Sequence, residues 1–257
     1  MAALGNRDYL AYRITVVRAH GKIRVMTTIV AIETSADLAS VALLHDGALS
    51  MLTSTGAATH SQSILPMIQQ LFNTAKVGLA DCDSIAFGAG PGSFTGVRTA
   101  CSVAQGLAFG IGVPVVAINT LEAMAQACFE KTGFPNIVTL LDARMGEVYW
   151  AQYDFSAGLK TLIEPCLSVP ASVVVQGPVV ACGNGLIAGS GQFSEQNNFI
   201  ATHPEVMPHA AIIAKLAQRA LVTGLQVAAK DAQPIYLRNQ VALTIAERMQ
   251  KKLQELV

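Results

Sequence analysis

An α/β fold is predicted by the order of secondary-structure patterns along the chain. Three strand patterns come first, and helices and strands then alternate, which is the order of an α/β layer. A second α/β section begins near residue 136. The 257 residues are 52% apolar with a mean hydropathy of +0.44, so the chain has enough apolar side chains for a large buried core.

The individual elements follow from periodicity and turn residues. Apolar residues spaced for one broad face predict a helix at 60–76, and Thr120 is the expected N-cap of a later helix. The other predicted elements of the first section are strands at 29–33, 40–44 and 49–53 around a hairpin turn at 45–47, a strand at 84–88, a helix at 95–109 and a strand at 113–118. Those of the second section are strands at 136–142, 147–153 and 179–182, a helix near 209–223 and a charged surface helix at 243–256.

Charge excludes a strongly basic nucleic-acid binder, because 17 Lys and Arg balance 17 Asp and Glu. Residues 1–25 hold five basic side chains and one acidic one, a net charge of +4. The other 232 residues hold 12 basic and 16 acidic side chains, a net charge of −4. The basic start is either a transit peptide or a set of residues ahead of a true start at Met26. We favour the second, and expect residues 1–25 to lie outside the fold.

Cysteine usage and apolar segments indicate a cytoplasmic protein without a membrane span. The five cysteines are scattered, with no Cys-x-x-Cys pair, which argues against a disulfide framework or a zinc knuckle. Three stretches lack charged side chains, at 47–75, 99–121 and 165–194. Polar residues, glycines and a proline interrupt the middle one, so it does not read as a bilayer-spanning helix.

The strongest local motif is the glycine-rich run Gly88-Ala-Gly-Pro-Gly-Ser-Phe-Thr-Gly-Val-Arg98 between a predicted strand and a predicted helix. Backbone N–H groups at a helix start suit a phosphate. The run has no Walker lysine, however, and its glycine spacing is not that of a dinucleotide fingerprint. Both alternatives stay open at this point, namely a phosphate loop and a tight structural strand-to-helix turn, and the second is favoured.

Two further motifs carry acidic residues at predicted hairpins. Ile32-Glu-Thr-Ser35 could hold a metal–phosphate group or form an ordinary turn. Asp142-Ala-Arg-Met-Gly-Glu-Val-Tyr149 could serve acid–base chemistry or form a salt-bridged turn. We favour the structural alternative for both.

The five histidines show no His-x-x-x-His spacing, and there is no Gly-x-Ser-x-Gly elbow. The sequence thus predicts no catalytic residue and no metal site.

Taken together, these motifs resemble the TsaB (YeaZ) family, the bacterial tRNA threonylcarbamoyladenosine biosynthesis proteins. The matching segments run in family order from Met26 to about residue 239, and the glycine-rich run is the most specific of them. These segments are Ile32–Ser35 with 40–43, 60–67, 88–98, 142–149 and Pro234-Ile-Tyr-Leu-Arg238.

The resemblance implies an actin-like fold, of the Hsp70 and sugar-kinase type, with two duplicated α/β subdomains. The expected boundaries are an extension at 1–25, subdomains at 26–135 and 136–240, and a helical tail at 241–257. The resemblance also implies a non-catalytic role beside the paralogous TsaD subunit and the TsaE ATPase. Together they attach a threonylcarbamoyl group to adenosine 37 of tRNAs reading codons that begin with A. The catalytic paralogue carries a His-x-x-x-His metal site, which this sequence lacks.

We therefore expect an accessory subunit that requires no cofactor of its own and leaves tRNA contact mainly to its partner. The alternative is an enzyme of the same fold, an ATPase or a glycoprotease-like peptidase. A vestigial nucleotide loop would consist of Gly90, Gly92, Ser93 and Thr95. A homodimer, or a heterodimer with the paralogue, is expected through the helices at 60–76 and 95–109, with Ile64 and Leu71 facing outward. The expected interface residues are Ile64, Leu65, Ile68, Leu71, Val97 and Cys101.

Overall fold

The computed structural model describes residues 15–19, 22–54 and 60–238. The first two strands, β1 (Thr15–Ala19) and β2 (Lys22–Met26), form an antiparallel hairpin. Within the described ranges they pair with each other and with no other strand. The predicted helix at 243–256 lies outside the described residues.

Five strands form the first large sheet, in the spatial order β5-β4-β3-β6-β7. The strands are β3 (Thr28–Glu33), β4 (Ser40–His45), β5 (Ala48–Thr53), β6 (Ser84–Gly90) and β7 (Val115–Asn119). The first three are joined as antiparallel neighbours, whereas β6 and β7 run parallel to β3. Asp46 and Gly47 have positive φ in the turn between β4 and β5, where the sequence predicts a hairpin turn.

Helices cover both faces of this sheet. The helices of the described residues are α1 (His60–Ala75), α2 (Phe94–Ile111), α3 (Thr120–Thr132), α4 (Gly185–Ala188), which lies against the second sheet, and α5 (Ala210–Thr223). On one face, α1 and α2 form an apolar core with β3, β4 and β6. On the other face, α5 packs its alanine, isoleucine and leucine side chains against the same strands. The first sheet is therefore buried between two layers of helix.

The second sheet repeats the strand order of the first, as β10-β9-β8-β11-β12. Its strands are β8 (Asn136–Arg144), β9 (Glu147–Asp154), β10 (Lys160–Ser168), β11 (Val179–Cys182) and β12 (Phe199–His203). Again the first three are antiparallel neighbours and the last two are parallel to the first. This repetition confirms the predicted α/β fold with two duplicated subdomains.

The second sheet has a thinner cover than the first. Helix α3 packs on one face, where Leu121 and Met124 lie in a core with Ile137 and Tyr153. The other face is covered by Val173, by α4 and by loop residues. Because α4 has only four residues, this face lacks the long helices that shield the first sheet.

The cap of α3 differs from the prediction. Asn119 is the N-cap, and its Oδ1 accepts hydrogen bonds from the N–H groups of Leu121 at 2.9 Å and Glu122 at 3.3 Å. Thr120 is the first helical residue, and its hydroxyl accepts a hydrogen bond from Gly90 N–H at 3.1 Å. The threonine is thus occupied by the neighbouring strand, which leaves the helix end to the asparagine.

Candidate functional site

A cleft of about 870 Å³ lies where the two sheets meet, and its size is in the range of small-ligand pockets. Two hairpin turns line it, the turn after β3 and the turn between β8 and β9. The start of α2 and the segment 235–238 complete its walls. The acidic motifs and the glycine-rich run of the sequence therefore converge on one place.

The glycine-rich run packs against the turn that follows β3. Ser93 N–H donates to Ser35 O at 2.8 Å, and the Thr34 hydroxyl donates to Gly96 O at 2.7 Å. A Cβ on Gly96 would overlap the Thr34 carbonyl, and a Cβ on Gly92 would lie 2.5 Å from Ser35 O. These two glycines let backbone approach backbone, which accounts for them as parts of a tight structural turn.

The four predicted loop residues do not all reach the cleft. Gly92 and Ser93 line it, whereas Gly90 and Thr95 do not. Ser93 is the N-cap of α2, and its Oγ accepts a hydrogen bond from Gly96 N–H at 3.4 Å. The side chain of Ser93 is therefore already used to begin the helix.

Glu33, the acidic residue of the first motif, is buried beneath the cleft. Its side chain is fully buried, and a Cβ on Gly88 of the adjacent strand would overlap the Glu33 carboxylate. Oε1 accepts a hydrogen bond from Ser35 N–H at 2.6 Å, and Oε2 has no partner in the described part of the chain. Burial raises the pKa of Glu33, which favours the neutral acid. A neutral carboxyl out of reach of the cleft is poorly suited to hold a metal–phosphate group.

The second acidic motif forms a salt-bridged turn. The Arg144 guanidinium lies 3.1 Å from the Asp142 carboxylate and 3.5 Å from that of Asp37 on the opposite side of the cleft. Arg144 N–H also donates to Asp142 Oδ1 at 2.8 Å. Glu147 pairs with Arg238 at 2.6 Å. Both carboxylates of the motif are thus engaged by arginines, which supports the structural alternative over acid–base chemistry.

The segment 232–238 connects the two subdomains, a role that the sequence does not reveal. Ile235 N–H donates to Ala89 O at 2.7 Å on the first sheet. Three residues later, Arg238 donates to Ala143 O at 3.1 Å and to Glu147 on the second sheet. The segment has no regular secondary structure, so periodicity could not identify it, although its residues belong to the recognised family motif.

Arg98, at the first turn of α2, stands at the mouth of the cleft. Its guanidinium carbon lies 3.5 Å from the centroid of the Phe94 ring and 5.4 Å from that of Tyr236. Its Nε donates to the Tyr236 hydroxyl at 2.7 Å. The nearest cation to the glycine-rich run is therefore held between two aromatic rings.

Most of the predicted interface residues do not face outward. Ile64 and Leu71 were expected on the outer face of the first helix, and this expectation is wrong. They form the side of α1 that packs on the sheet, at the spacing of a core-facing stripe. Leu65 is 53% exposed and stays available to a partner. Of the other predicted interface residues, Ile68 and Cys101 are buried in the same core as Ile64 and Leu71, and Val97 is buried as well.

The described ranges contain neither a metal-binding cluster nor a helix suited to cross a bilayer. Residues 15–19, 22–54 and 60–238 contain no group of three or more His, Cys, Asp or Glu placed to hold a metal ion. In the same ranges, none of the helices combines the length and the apolar character that a bilayer crossing requires.

Comparison with known proteins identifies relatives for this arrangement. A family model described as TsaD, tRNA N6-adenosine threonylcarbamoyltransferase, matches residues 54–256. The tRNA threonylcarbamoyladenosine biosynthesis protein TsaB of Escherichia coli is 35% identical over 221 residues, which cover 83% of this chain and 96% of that protein. The protein of the same name from Haemophilus influenzae is 38% identical over 226 residues, covering 83% and 94%.

Solved structures give the same result. A Pseudomonas aeruginosa structure described as similar to peptidase YEAZ has a TM-score of 0.78 at 35% identity and covers 83% of this chain and all of its own. A second structure, described as YeaZ from Pseudomonas aeruginosa, has a TM-score of 0.77 at 35% identity, covering 82% and 100%. With the repeated strand order, these matches confirm the actin-like α/β fold that the resemblance implies.

Proposed function

This chain belongs to the TsaB (YeaZ) family, and from that premise we propose that it is a non-catalytic activator of a TsaD-type transferase. It takes part in tRNA threonylcarbamoyladenosine biosynthesis, as the names of its relatives state for them. In this proposal the TsaD-type subunit transfers the threonylcarbamoyl group to adenosine 37 of tRNAs reading codons that begin with A. A TsaE-type ATPase completes the cytoplasmic complex.

The burial and ion pairing of the acidic groups near the cleft support the non-catalytic role. Glu33 is sealed under the glycine-rich run, and Asp142 and Glu147 are paired with arginines. A general acid or base must reach the proton that it transfers, with a pKa suited to that transfer. Groups committed to structural contacts in this way are poorly placed for such chemistry.

A subunit of this kind acts by stabilising the competent conformation of its partner. It shifts that population only by as much as its affinity differs between the partner's conformations. The absence of a net positive charge favours a protein partner, so tRNA contact falls mainly to the catalytic subunit.

The outer faces of α1 and α2 are the surface that we assign to this partner or to a second copy. Helix α1 contains no charged residue, and α2 contains only Arg98. Leu65 on α1 is 53% exposed and Phe109 on α2 is 80% exposed. Exposed apolar side chains on uncharged helix faces are typical of protein interfaces.

Reconstitution tests the activator role. Soluble TsaD-type subunit, TsaE-type ATPase, threonylcarbamoyl-adenylate and tRNA are assayed with and without this chain, at matched concentration of soluble partner. We expect modification to depend on the chain. Equal turnover when it is omitted would contradict the proposal, and would indicate a subunit that only keeps its partner soluble.

Point variants test the assigned surface. Leu65→Glu places a charge in the interface, so we expect association to weaken by at least about tenfold while the melting temperature of the free chain is unchanged. Val174→Glu is the matched control, because Val174 is an exposed apolar residue of the second subdomain. Sedimentation that shows the same assembly for Leu65→Glu and Val174→Glu would place the interface elsewhere.

A further inference from the structure

We propose that the mouth of the cleft is a docking surface for a protein segment that carries a carboxylate next to an apolar side chain. The cleft-mouth surface consists of Phe94, Arg98, Met145 and Tyr236, and it includes residues of both subdomains. Phe94 and Arg98 lie at the N-terminal end of α2, so this surface adjoins the outer face of α2 assigned above, whose exposed Phe109 lies near the other end of the helix. The inference rests on the charge of Arg98, the exposure of its apolar neighbours and the way the surface is held together.

Arg98 carries the charge that the segment would complement. Its guanidinium is stacked on Phe94 and anchored through Nε to the Tyr236 hydroxyl, which leaves its terminal nitrogens to donate. Within residues 15–19, 22–54 and 60–238, no carboxylate forms an ion pair with it. An arginine fixed in this way is prepared for bidentate recognition of a planar anion.

The other two arginines of the cleft differ from Arg98 in this respect. Arg144 is paired with Asp142 and Asp37, and Arg238 is paired with Glu147. The cleft therefore presents one cation whose charge the described carboxylates leave uncompensated. The ligand that complements it is an anion, either a carboxylate or a phosphate.

The neighbours of Arg98 favour a carboxylate on a protein. Phe94 and Tyr236 are exposed, and Met145 is 81% exposed at the tip of the turn between β8 and β9. Aromatic residues, methionine and arginine are the side chains enriched at protein interfaces. A nucleic acid, in contrast, needs several cations for its repeated phosphates, and among the arginines that line the cleft in the described ranges only Arg98 is not paired with a carboxylate.

The turn between β8 and β9, which carries Met145, has a strained backbone. Arg144 and Met145 both have positive φ, at 62° and 58°, a region that costs a non-glycine residue about 1–2 kcal/mol. Asparagine or glycine would make such a turn with less strain. Strained residues persist where the surroundings hold them, and here Arg238 donates to Met145 Sδ at 2.8 Å and to Ala143 O at 3.1 Å. These contacts hold the exposed methionine beside the cleft in spite of its strained backbone.

The segment 232–238 makes the surface a pre-formed one. It joins the first sheet through Ile235 and the second through Arg238, with Tyr236 between them beside Arg98. A surface whose side chains are already ordered loses little conformational entropy on binding.

Peptide selection tests the proposal. A displayed library of random linear peptides is selected on the full-length chain and counter-selected on Arg98→Gln. We expect enrichment of peptides with Asp or Glu next to an aromatic or aliphatic residue. Enrichment of basic or neutral motifs, or no enrichment at all, would overturn the proposal.

Affinity measurements on the enriched peptides complete the test. We expect Arg98→Gln to weaken binding by at least about tenfold, and replacement of the peptide's acidic residue by its amide to do the same. Arg144→Gln, at a paired arginine of the same cleft, should change affinity less than about twofold. Equal losses in both variants would contradict the role of Arg98. Displacement of the peptide by inorganic phosphate, at a phosphate concentration below that of the peptide, would also contradict it, because the cleft mouth would then be a phosphate site. The reconstituted modification assay is a separate measurement, so failure here leaves the activator role standing.

Discussion

The two sheets share one strand order, yet the acidic residue near the end of the first strand has a different environment in each. Glu33 ends β3 and is fully buried, with a raised pKa. Asp142 lies near the end of β8 and remains partly exposed, where it pairs with Arg144. One carboxyl is kept from solvent and the other is compensated by a neighbouring cation.

The difference follows from what packs on each turn. In the first subdomain, the 18-residue helix α2 begins with a glycine-rich loop that presses directly on Thr34 and Ser35. In the second, the four-residue α4 stands at the corresponding place, and Asn184 Oδ1 accepts a hydrogen bond from Asp142 N–H at 2.9 Å. The packing over each turn therefore determines whether its acidic residue is buried, more than the position of that residue in the strand order does.

The largest expected effect comes from filling the contact between α2 and the first turn. Gly96→Ala should destabilise the chain by about 3 kcal/mol, because the new Cβ would overlap the Thr34 carbonyl. Gly106→Ala in the same helix has open space around it and should stabilise by up to about 1 kcal/mol. Chemical denaturation measures both. Equal effects of the two substitutions would show that the close contact at Gly96 does not matter.

The second turn should respond to loss of Arg238 more than to loss of Arg144. Arg238→Ala should cost about 2 kcal/mol, because this 17% exposed side chain donates to Glu147 and to Ala143 O. Arg144→Ala should cost less than about 1 kcal/mol, because its side chain is 75% exposed and its ion pairs are screened by solvent. Thermal denaturation of the two variants checks this order, and a reversed order would contradict it.

The smallest effect concerns the pH dependence that Glu33 contributes. Its folded-state pKa is raised above the ordinary value of 4.5, so above that pH the folded chain binds more protons than the unfolded one. This contribution to the free energy of unfolding is therefore present at low pH and is lost as pH rises from 4.5 toward the folded-state pKa. Glu33→Gln keeps the hydrogen bond from Ser35 N–H but removes the titration.

Denaturation of both proteins at several pH values measures this contribution. Relative to Glu33→Gln, we expect the free energy of unfolding of the wild-type chain to fall as pH rises above 4.5. Near pH 4.5 the two proteins should differ least, which provides the internal control. Parallel stability curves across this range would show that Glu33 titrates normally in the folded chain.

Much of the fold could be predicted because local patterns agree with it. The hairpin strands, the helices α1, α2 and α5, and the turn at Asp46 and Gly47 all follow from periodicity and turn residues. Four of the described strands were missed. Strands β1 and β2 lie largely within residues 1–25, which were expected to be an extension outside the fold. Strand β10 contains Glu164 and Pro165, which interrupt a strand pattern, and β12 is a short edge strand with mostly exposed residues.

The orientation of α1 was the main error in the predicted site. Apolar residues occur at both Ile64 and Leu65, so the breadth of the apolar face hid which side meets the sheet. The spacing of Ile64, Ile68 and Leu71 is that of a core stripe, which identifies the buried side once the packing is known. The bridge formed by 232–238 could not be foreseen, because it depends on contacts between residues more than 90 positions apart.

We propose that the acidic residues of both turns are structural and that the chain contributes no catalytic group. This proposal is tested by measuring tRNA modification by the reconstituted complex containing the double variant Glu33→Gln/Asp142→Asn. At matched folding and assembly, we expect turnover within about twofold of the wild-type complex. Loss of a catalytic acid or base typically lowers the rate by about a hundredfold or more. A loss of that size with assembly intact would contradict the claim, and would assign chemistry to this chain.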